Sequence, residues 1–463
     1  MKKIISAVCL ALVLLMLASC SFIDDVVLPS IGTALESMLD ELLETGDAVT
    51  DTPTVAVLTT SDDPETPTGE GSSAAPEPTQ TEPETPPVTA ALLEPFTDAF
   101  VPGYGSETVI IDKSNPIDYR YWRTTVTDAD ELTAYDALDE MVKNDKSTAV
   151  LPRPVPFDKI KSVYKRFTLD HPEYFWNVSR YTGNGSTNAI TSITVEASHD
   201  QERIAPMRAE IEKVASLVIS QIPDGASDFE AEKIIFSWMI NNIVYDSTPS
   251  DKYNLYGALV KKRCVCEGFA EAFKYLCGKV GIPVITISGL ADNSQTTENH
   301  AWSAVRIGGK WYLSDITWAH SGQPNRFLYF NLSEHITPDH WPLDELSPLL
   351  PDFSADDASY LKYYGLYFDD AREGDLGFDS AFMRSVLHFT DVAMTGASAT
   401  VYMLASDPAT AEKYAKFIKD EDYDEIADML ERVSHDGHSF VVYTEPEIID
   451  GRILSFRVAR MKD

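Results

Sequence analysis

Between Ile4 and Asp112 the chain has no lysine or arginine, while acidic residues recur throughout. About half of the formal net charge of −36 therefore falls in this stretch. No basic face is supplied elsewhere, which excludes nucleic acid as a partner. Cysteine is almost as scarce, with Cys9, Cys20, Cys264, Cys266 and Cys277 making up the five. The three late cysteines are clustered, with no Cys-x-x-Cys and no histidine pair beside them. They make neither a disulfide framework nor a zinc site. After Leu17 there is no apolar run long enough to cross a bilayer. No internal repeat is present, and no metal or cofactor is expected.

What is present begins with Lys2 and Lys3, followed by an apolar run from Ile4 to Leu17 that reads as an export signal. The run ends Leu17-Ala18-Ser19-Cys20, which resembles the lipobox of bacterial lipoproteins. That resemblance implies cleavage before Cys20, acylation of its thiol, and a chain anchored by lipid at the extracellular face of the bacterial membrane. Residues 1–19 would be the signal. Residues 20–45 would carry the lipid and a short helix with Ile31, Leu35, Met38, Leu39 and Leu42 on one face. Residues 46–107 are an acidic Thr/Pro-rich linker that cannot bury enough apolar surface to fold.

Folding signals start near Thr108. Leu132, Tyr135, Leu138, Met141 and Val142 form one helical stripe, and Ile160, Val163, Tyr164 and Phe167 another. Alternation at Ile190, Ile193 and Val195 predicts a strand. These define an N-terminal α/β region over 108–200. A helix is expected from Pro206 to Ile222, and a second behind the Ser227/Glu230 capping-box spacing. After residue 345 a small α/β unit is expected over 346–463. Its helices are read at Phe378–Phe389 and Ala409–Ile418, its strands at Thr400–Leu404, Phe440–Tyr443 and Ile453–Val458. Asp420, Asp422, Asp424, Asp428 and Glu431 repeat part of a calcium-loop spacing. However, Glu425 replaces the required glycine, and Ile426, Met429, Leu430 and Val433 spell a helix instead.

The chemistry lies between these regions. Cys266 precedes Phe269, Phe273, Leu276 and Val280 at helical intervals, and Gly281-Ile282-Pro283 ends that helix. A thiol at a helix N-terminus meets unpaired N–H groups and the positive end of the dipole, which favour its thiolate. Those N–H groups can also hold an oxyanion. Gly268 leaves room for a neighbouring chain. Cys277 shares the buried stripe, and Cys264 is the weaker nucleophile. Farther on, residues 301–307 and 310–316 alternate around Gly308-Gly309, a two-residue hairpin signal. That turn would pair Trp302 with Asp315 and His300 with Thr317, leaving His300 and Asp315 as diagonal neighbours on one face. A three-residue loop would put them on opposite faces.

The segment Asp228–Trp318, with Tyr245-Asp246, Cys266-Glu267-Gly268-Phe269-Ala270, His300-Ala301-Trp302 and Trp311-Tyr312-Leu313-Ser314-Asp315, resembles the transglutaminase-like superfamily. The resemblance implies an α+β fold with a papain-like core over 201–345. It also implies Cys266 as nucleophile, His300 as general base and acid, and Asp315 as orienter. Asp170-His171-Pro172-Glu173-Tyr174-Phe175-Trp176 looks like the region preceding this core in lipid-anchored proteins of Gram-positive bacteria. Tyr256 is the candidate for a second oxyanion donor, against its reading as a core tyrosine. Glu267 reads as a dipole partner in the first helical turn or as a substrate contact. The expected activity is attack on a protein or peptide amide at the cell surface, with water resolving the thioester. The alternatives are an amine acceptor, which gives a crosslink, and a surface binding or adhesion module without chemistry.

Overall fold

The computed structural model describes residues 108–292, 296–320, 328–334, 339–392, 398–420, 423–433, 438–442, 444–449 and 451–462. The expected signal, Cys20, the short helix near the N-terminus and the linker lie outside these residues, as does Asp422. Among the described residues no helix is long and apolar enough to cross a membrane.

Helix α1 (Ala129–Lys143) starts where the Asp128 carboxylate accepts the N–H groups of Asp130 and Glu131. Its buried stripe is Tyr135, Leu138, Met141 and Val142. Strand β1 (Thr148–Val155), helix α2 (Phe157–Asp170), β2 (Asn177–Ser186) and β3 (Ala189–Ala197) complete the N-terminal region. The three strands form an antiparallel sheet in the order β1-β3-β2.

Helix α3 spans Gln201–Ile219, five residues earlier than its proline suggested. Ile204 continues the buried stripe of Met207, Ile211, Ala215 and Val218, so packing extends the helix back past Pro206. Helix α4 (Asp228–Asn242) carries the expected capping box, with Ser227 and Glu230 bonded reciprocally. Helix α5 (Cys266–Gly278) packs on a four-stranded antiparallel sheet made of β4 (Val284–Asp292), β5 (Thr297–Ile307), β6 (Lys310–Ser314) and β7 (His340–Pro342). The order is β6-β5-β4-β7. Gly308 and Gly309 both have positive φ, 56° and 82°, as a tight primed hairpin turn requires. Strand β6 stops at Ser314, before the expected pairing of His300 with Thr317. The chain turns instead into the short helix α6 (Ile316–His320), which Asp315 starts by accepting the Trp318 N–H.

The C-terminal unit sets α7 (Phe378–Val392), α8 (Pro408–Asp420) and α9 (Tyr423–Val433) with a mixed sheet. Its principal strands are β8 (Ser398–Ala405), β9 (His438–Val442) and β10 (Ile453–Lys462). Ile426, Met429, Leu430 and Val433 are buried, as the helical reading of α9 expected.

One buried polar cluster ties the N-terminal region to α5. Asp170, at the end of α2, accepts from the backbone N–H groups of Trp122 and Arg123, from the Tyr135 hydroxyl at 2.7 Å and from Lys274 Nζ of α5 at 3.2 Å. Asp170 is fully buried and the Lys274 side chain only 5% exposed. Removing one partner of such a pair strands a charge in low dielectric. Asp170→Ala is therefore expected to cost about 3–5 kcal/mol in urea unfolding, with Asp170→Ala/Lys274→Met recovering part of the loss. A cost below about 1 kcal/mol would show that water reaches Lys274.

Candidate active site

Cys266 is the first residue of α5. Val265 before it is extended and offers no side-chain cap, so the helix terminus keeps donors for an anion. The chain leading into α5 packs close to its first turn, where Val265 donates to the Lys252 carbonyl at 2.9 Å. A Cβ on Gly268 would stand 2.6 Å from Cys264 Cβ and 2.8 Å from the Lys252 oxygen, so the close approach expected there does occur. Cys266 is half-buried, whereas Cys264 and Cys277 are fully buried, and burial pushes both of those thiols up. All three are free thiols. Only Cys266 is placed to react.

The hairpin brings the imidazole to the carboxylate. His300 Nε2 lies 2.6 Å from Asp315 Oδ2, although they stand on neighbouring segments with no direct pairing. Cys266 lies close enough to His300 to favour its charged form. With Nε2 engaged by Asp315, Nδ1 is the nitrogen left for the thiol. Burial alone would lower the His300 pKa. The Asp315 charge and hydrogen bond outweigh it, Cys266 adds to them, and the imidazole is pushed up to about 10. Burial would likewise raise the Asp315 carboxyl, but His300 and His340 hold it well below the usual carboxylate range. The His300 ring stacks on Trp302 at 6.0 Å between centroids and tilts against Trp318 at 5.6 Å. These walls fix its plane and keep water from the ion pair.

Two features lie beyond what sequence patterns reveal. Tyr256, the expected oxyanion donor, donates its hydroxyl to Glu210 Oε2 of α3 at 2.7 Å. A second tyrosine, Tyr245, lies within electrostatic range of Cys266. Its pKa is pushed up to about 12, first by burial and then by the charge of Cys266. The two-residue strands Val244–Tyr245 and Arg263–Cys264 pair in parallel and set Tyr245 opposite Cys264. Tyr245-Asp246 is visible as a motif, but its proximity to the thiol depends on that non-local pairing. The second feature is His340 on β7, whose Nε2 lies 3.1 Å from Asp315 Oδ2. No spacing in the sequence links it to the site. Glu267 is half-buried in the first turn of α5, and burial pushes its carboxyl up, which weakens it as an anionic dipole partner.

His300, Asp315 and His340 put three possible ligand atoms within 4.8 Å of one another. Zinc bound by imidazole and carboxylate sits about 2.0–2.2 Å from each ligand atom. The 2.6 Å separation of Nε2 and Oδ2 is that of a shared proton, and it is too short to seat an ion between them.

Residues 216–316 match the family model described as the transglutaminase-like superfamily. The chain therefore carries a transglutaminase-like domain with a mixed α+β core. Over 115 residues it is 28% identical to the kyphoscoliosis peptidase of Mus musculus and 27% identical to that of Homo sapiens. Each alignment covers 22% of this chain and 17% of the relative, so the chain spans only a small part of those proteins' length. Among solved structures, a TGase is similar at 17% identity and a TM-score of 0.23, over 30% of this chain and 44% of that one. A candidate cysteine protease from Cytophaga hutchinsonii is similar at 21% identity and a TM-score of 0.21, over 29% and 56% respectively.

Proposed function

We propose that this chain is an exported thiol enzyme, anchored through lipid on Cys20 at the extracellular face of a bacterial membrane, that cleaves protein or peptide amides. The observation that carries the chemistry is the buried His300 imidazole, whose Nε2 lies 2.6 Å from Asp315 and whose charged form is favoured first by Asp315 and then by Cys266. His300 takes the Cys266 proton, and the thiolate attacks the amide carbon. The resulting oxyanion is held by the Cys266 backbone N–H and the Tyr245 hydroxyl. As the tetrahedral adduct collapses, His300 gives its proton to the leaving amine, and a thioester remains on Cys266. His300 then takes a proton from water, whose oxygen attacks the thioester, and an acid is released. Asp315 stays ionised throughout and holds the imidazole.

Water is favoured as the acceptor because Cys266 is half-buried and Tyr245 is 49% exposed, which leaves the thiol side of the site open to solvent. The relatives named peptidases agree with hydrolysis. A labelled primary amine supplied with a glutamine-containing protein separates the outcomes. Cleavage or deamidation without amine incorporation supports hydrolysis, and incorporation lost in Cys266→Ala would replace it with crosslinking.

The oxyanion assignment has its own test. Tyr245→Phe is expected to lower kcat on the order of 10²-fold with KM little changed. Tyr256→Phe, which only frees Glu210, should leave kcat near wild type. The reverse ranking would return the role to Tyr256.

A further inference from the structure

His340 lies on the edge strand β7, where it pairs with Ala291 while Pro342 pairs with Gly289. On the other side of β4, Gly289 pairs with His300 and Ala291 with Glu298. With a side-chain period of two, His340 and His300 project from one face of the sheet. The His340 side chain is only 3% exposed. Its ring packs edge-on to Trp302 at 5.0 Å and is tilted against Trp318 at 4.5 Å. Each of its nitrogens meets a carboxylate, Nε2 at 3.1 Å from Asp315 Oδ2 and Nδ1 at 2.8 Å from Asp339 Oδ1. An ionised carboxylate only accepts, so both nitrogens can be satisfied only if both carry hydrogen. The geometry therefore calls for a buried imidazolium.

We propose that His340 is a cationic positioning residue: by sharing Asp315 Oδ2 with His300 it clamps the carboxylate and limits how firmly His300 holds its proton. The proposal rests on the thiol-enzyme reading of Cys266 and His300. Its chemical purpose follows from the second half of that reaction. An imidazole paired with a whole buried carboxylate is a strong base but a poor proton donor to the leaving amine near neutral pH. A second cation on the same oxygen withdraws part of that stabilisation and brings His300 closer to a working balance. Among the described residues the titratable groups in contact with His340 are Asp315 and Asp339, with the His300 ring at 5.5 Å, while Trp302 and Trp318 add uncharged walls. Burial would lower the His340 pKa, but the bonds and charges of Asp315 and Asp339 raise it, in agreement with the geometry.

The probe is iodoacetate, with the rate of Cys266 alkylation followed from pH 4 to 11 by mass spectrometry on the folded chain. A thiolate–imidazolium pair gives this anionic reagent a bell, with an acid limb where the pair forms and an alkaline limb where His300 loses its charge. His340→Gln retains a donor for Asp315 but not the cation, and its alkaline limb is expected to move up by about one pH unit. His340→Ala loses both, and its maximal rate is expected to fall about tenfold, which His340→Gln partly restores. Bells identical to wild type in both variants would overturn the proposal. Nitrogen NMR of the wild-type imidazoles gives a measurement independent of folding in the variants. The His340 ring must carry two N–H protons at pH 7, and a singly protonated ring also overturns the proposal. His300→Ala separates this outcome from failure of the underlying reading. If wild type shows no bell and matches His300→Ala, Cys266 is not paired with His300 and both ideas fall. If the bell collapses in His300→Ala while both His340 variants keep it, only the role of His340 is lost.

Discussion

Cys266→Ala is expected to lower turnover of any amide substrate on the order of 10⁶-fold and to abolish the acyl-enzyme seen by mass spectrometry. Without the sulfur no thioester forms, and His300 and the oxyanion donors have no nucleophile to assist. The fold should be nearly untouched, because Cys266 is half-buried at the helix start and its replacement costs no core packing. Cys277→Ala is the informative contrast. That thiol is fully buried in α5, so its loss should reduce stability while leaving activity. Activity that survives in Cys266→Ala would sink the thiol mechanism. Unfolding curves measured beside the rates separate lost chemistry from lost fold.

Asp315→Asn should cost roughly 10³–10⁴-fold in kcat with the fold intact. The hydrogen bonds of the carboxylate explain how. Oδ1 of Asp315 accepts the Trp318 N–H, whereas Oδ2 faces both His300 Nε2 and His340 Nε2. An asparagine would keep its carbonyl towards Trp318 and turn its NH₂ towards the imidazoles. His300 Nε2 would then have to accept, leaving its proton on Nδ1, the nitrogen that should take the proton of Cys266. A wild-type rate in Asp315→Asn would show that the carboxylate only fills space.

The same pair predicts how stability follows pH. His300 is raised in the folded state, so its contribution is fully present below its ordinary value of about 6.5 and is lost as pH rises through about 10. Asp315 is lowered, so its contribution is present above about pH 4 and is lost as pH falls below that. The stability gap between wild type and Asp315→Asn should be widest between about pH 4 and 6.5 and should narrow towards pH 10. A gap that stays constant across this range would mean that the two groups do not titrate as an ion pair.

Local chemistry makes much of this legible in the amino-acid order. The capping box of α4, the apolar stripes of α1 and α2 and the start of α5 at Cys266 each depend on residues within a few turns of one another. The Gly308-Gly309 turn fixes the pairing of Ser303 with Ser314, and hence which faces His300 and Asp315 share, because a side-chain period of two propagates register along both strands. Burial can override such local signals. Pro206 looks like a helix start, but Ile204 has a core to fill. Strand alternation continues to Ile316 in the sequence, while Asp315 is needed to begin α6.

By itself, then, the sequence determined a thiol at a helix N-terminus and a histidine and aspartate on one face of a tight hairpin. Both follow from periodicities of about 3.6 and 2 and from the residues that tight turns and helix caps demand. Only the tertiary structure decided that Tyr245 pairs with Cys264, two residues before Cys266, while Tyr256 bonds Glu210, that Lys274 is held by Asp170, and that His340 shares the carboxylate of Asp315. Those contacts join segments distant in sequence through a two-residue parallel bridge, a buried charge and an edge strand. No local period encodes them, because their partners are chosen by packing and by the cost of leaving a buried polar group unpaired.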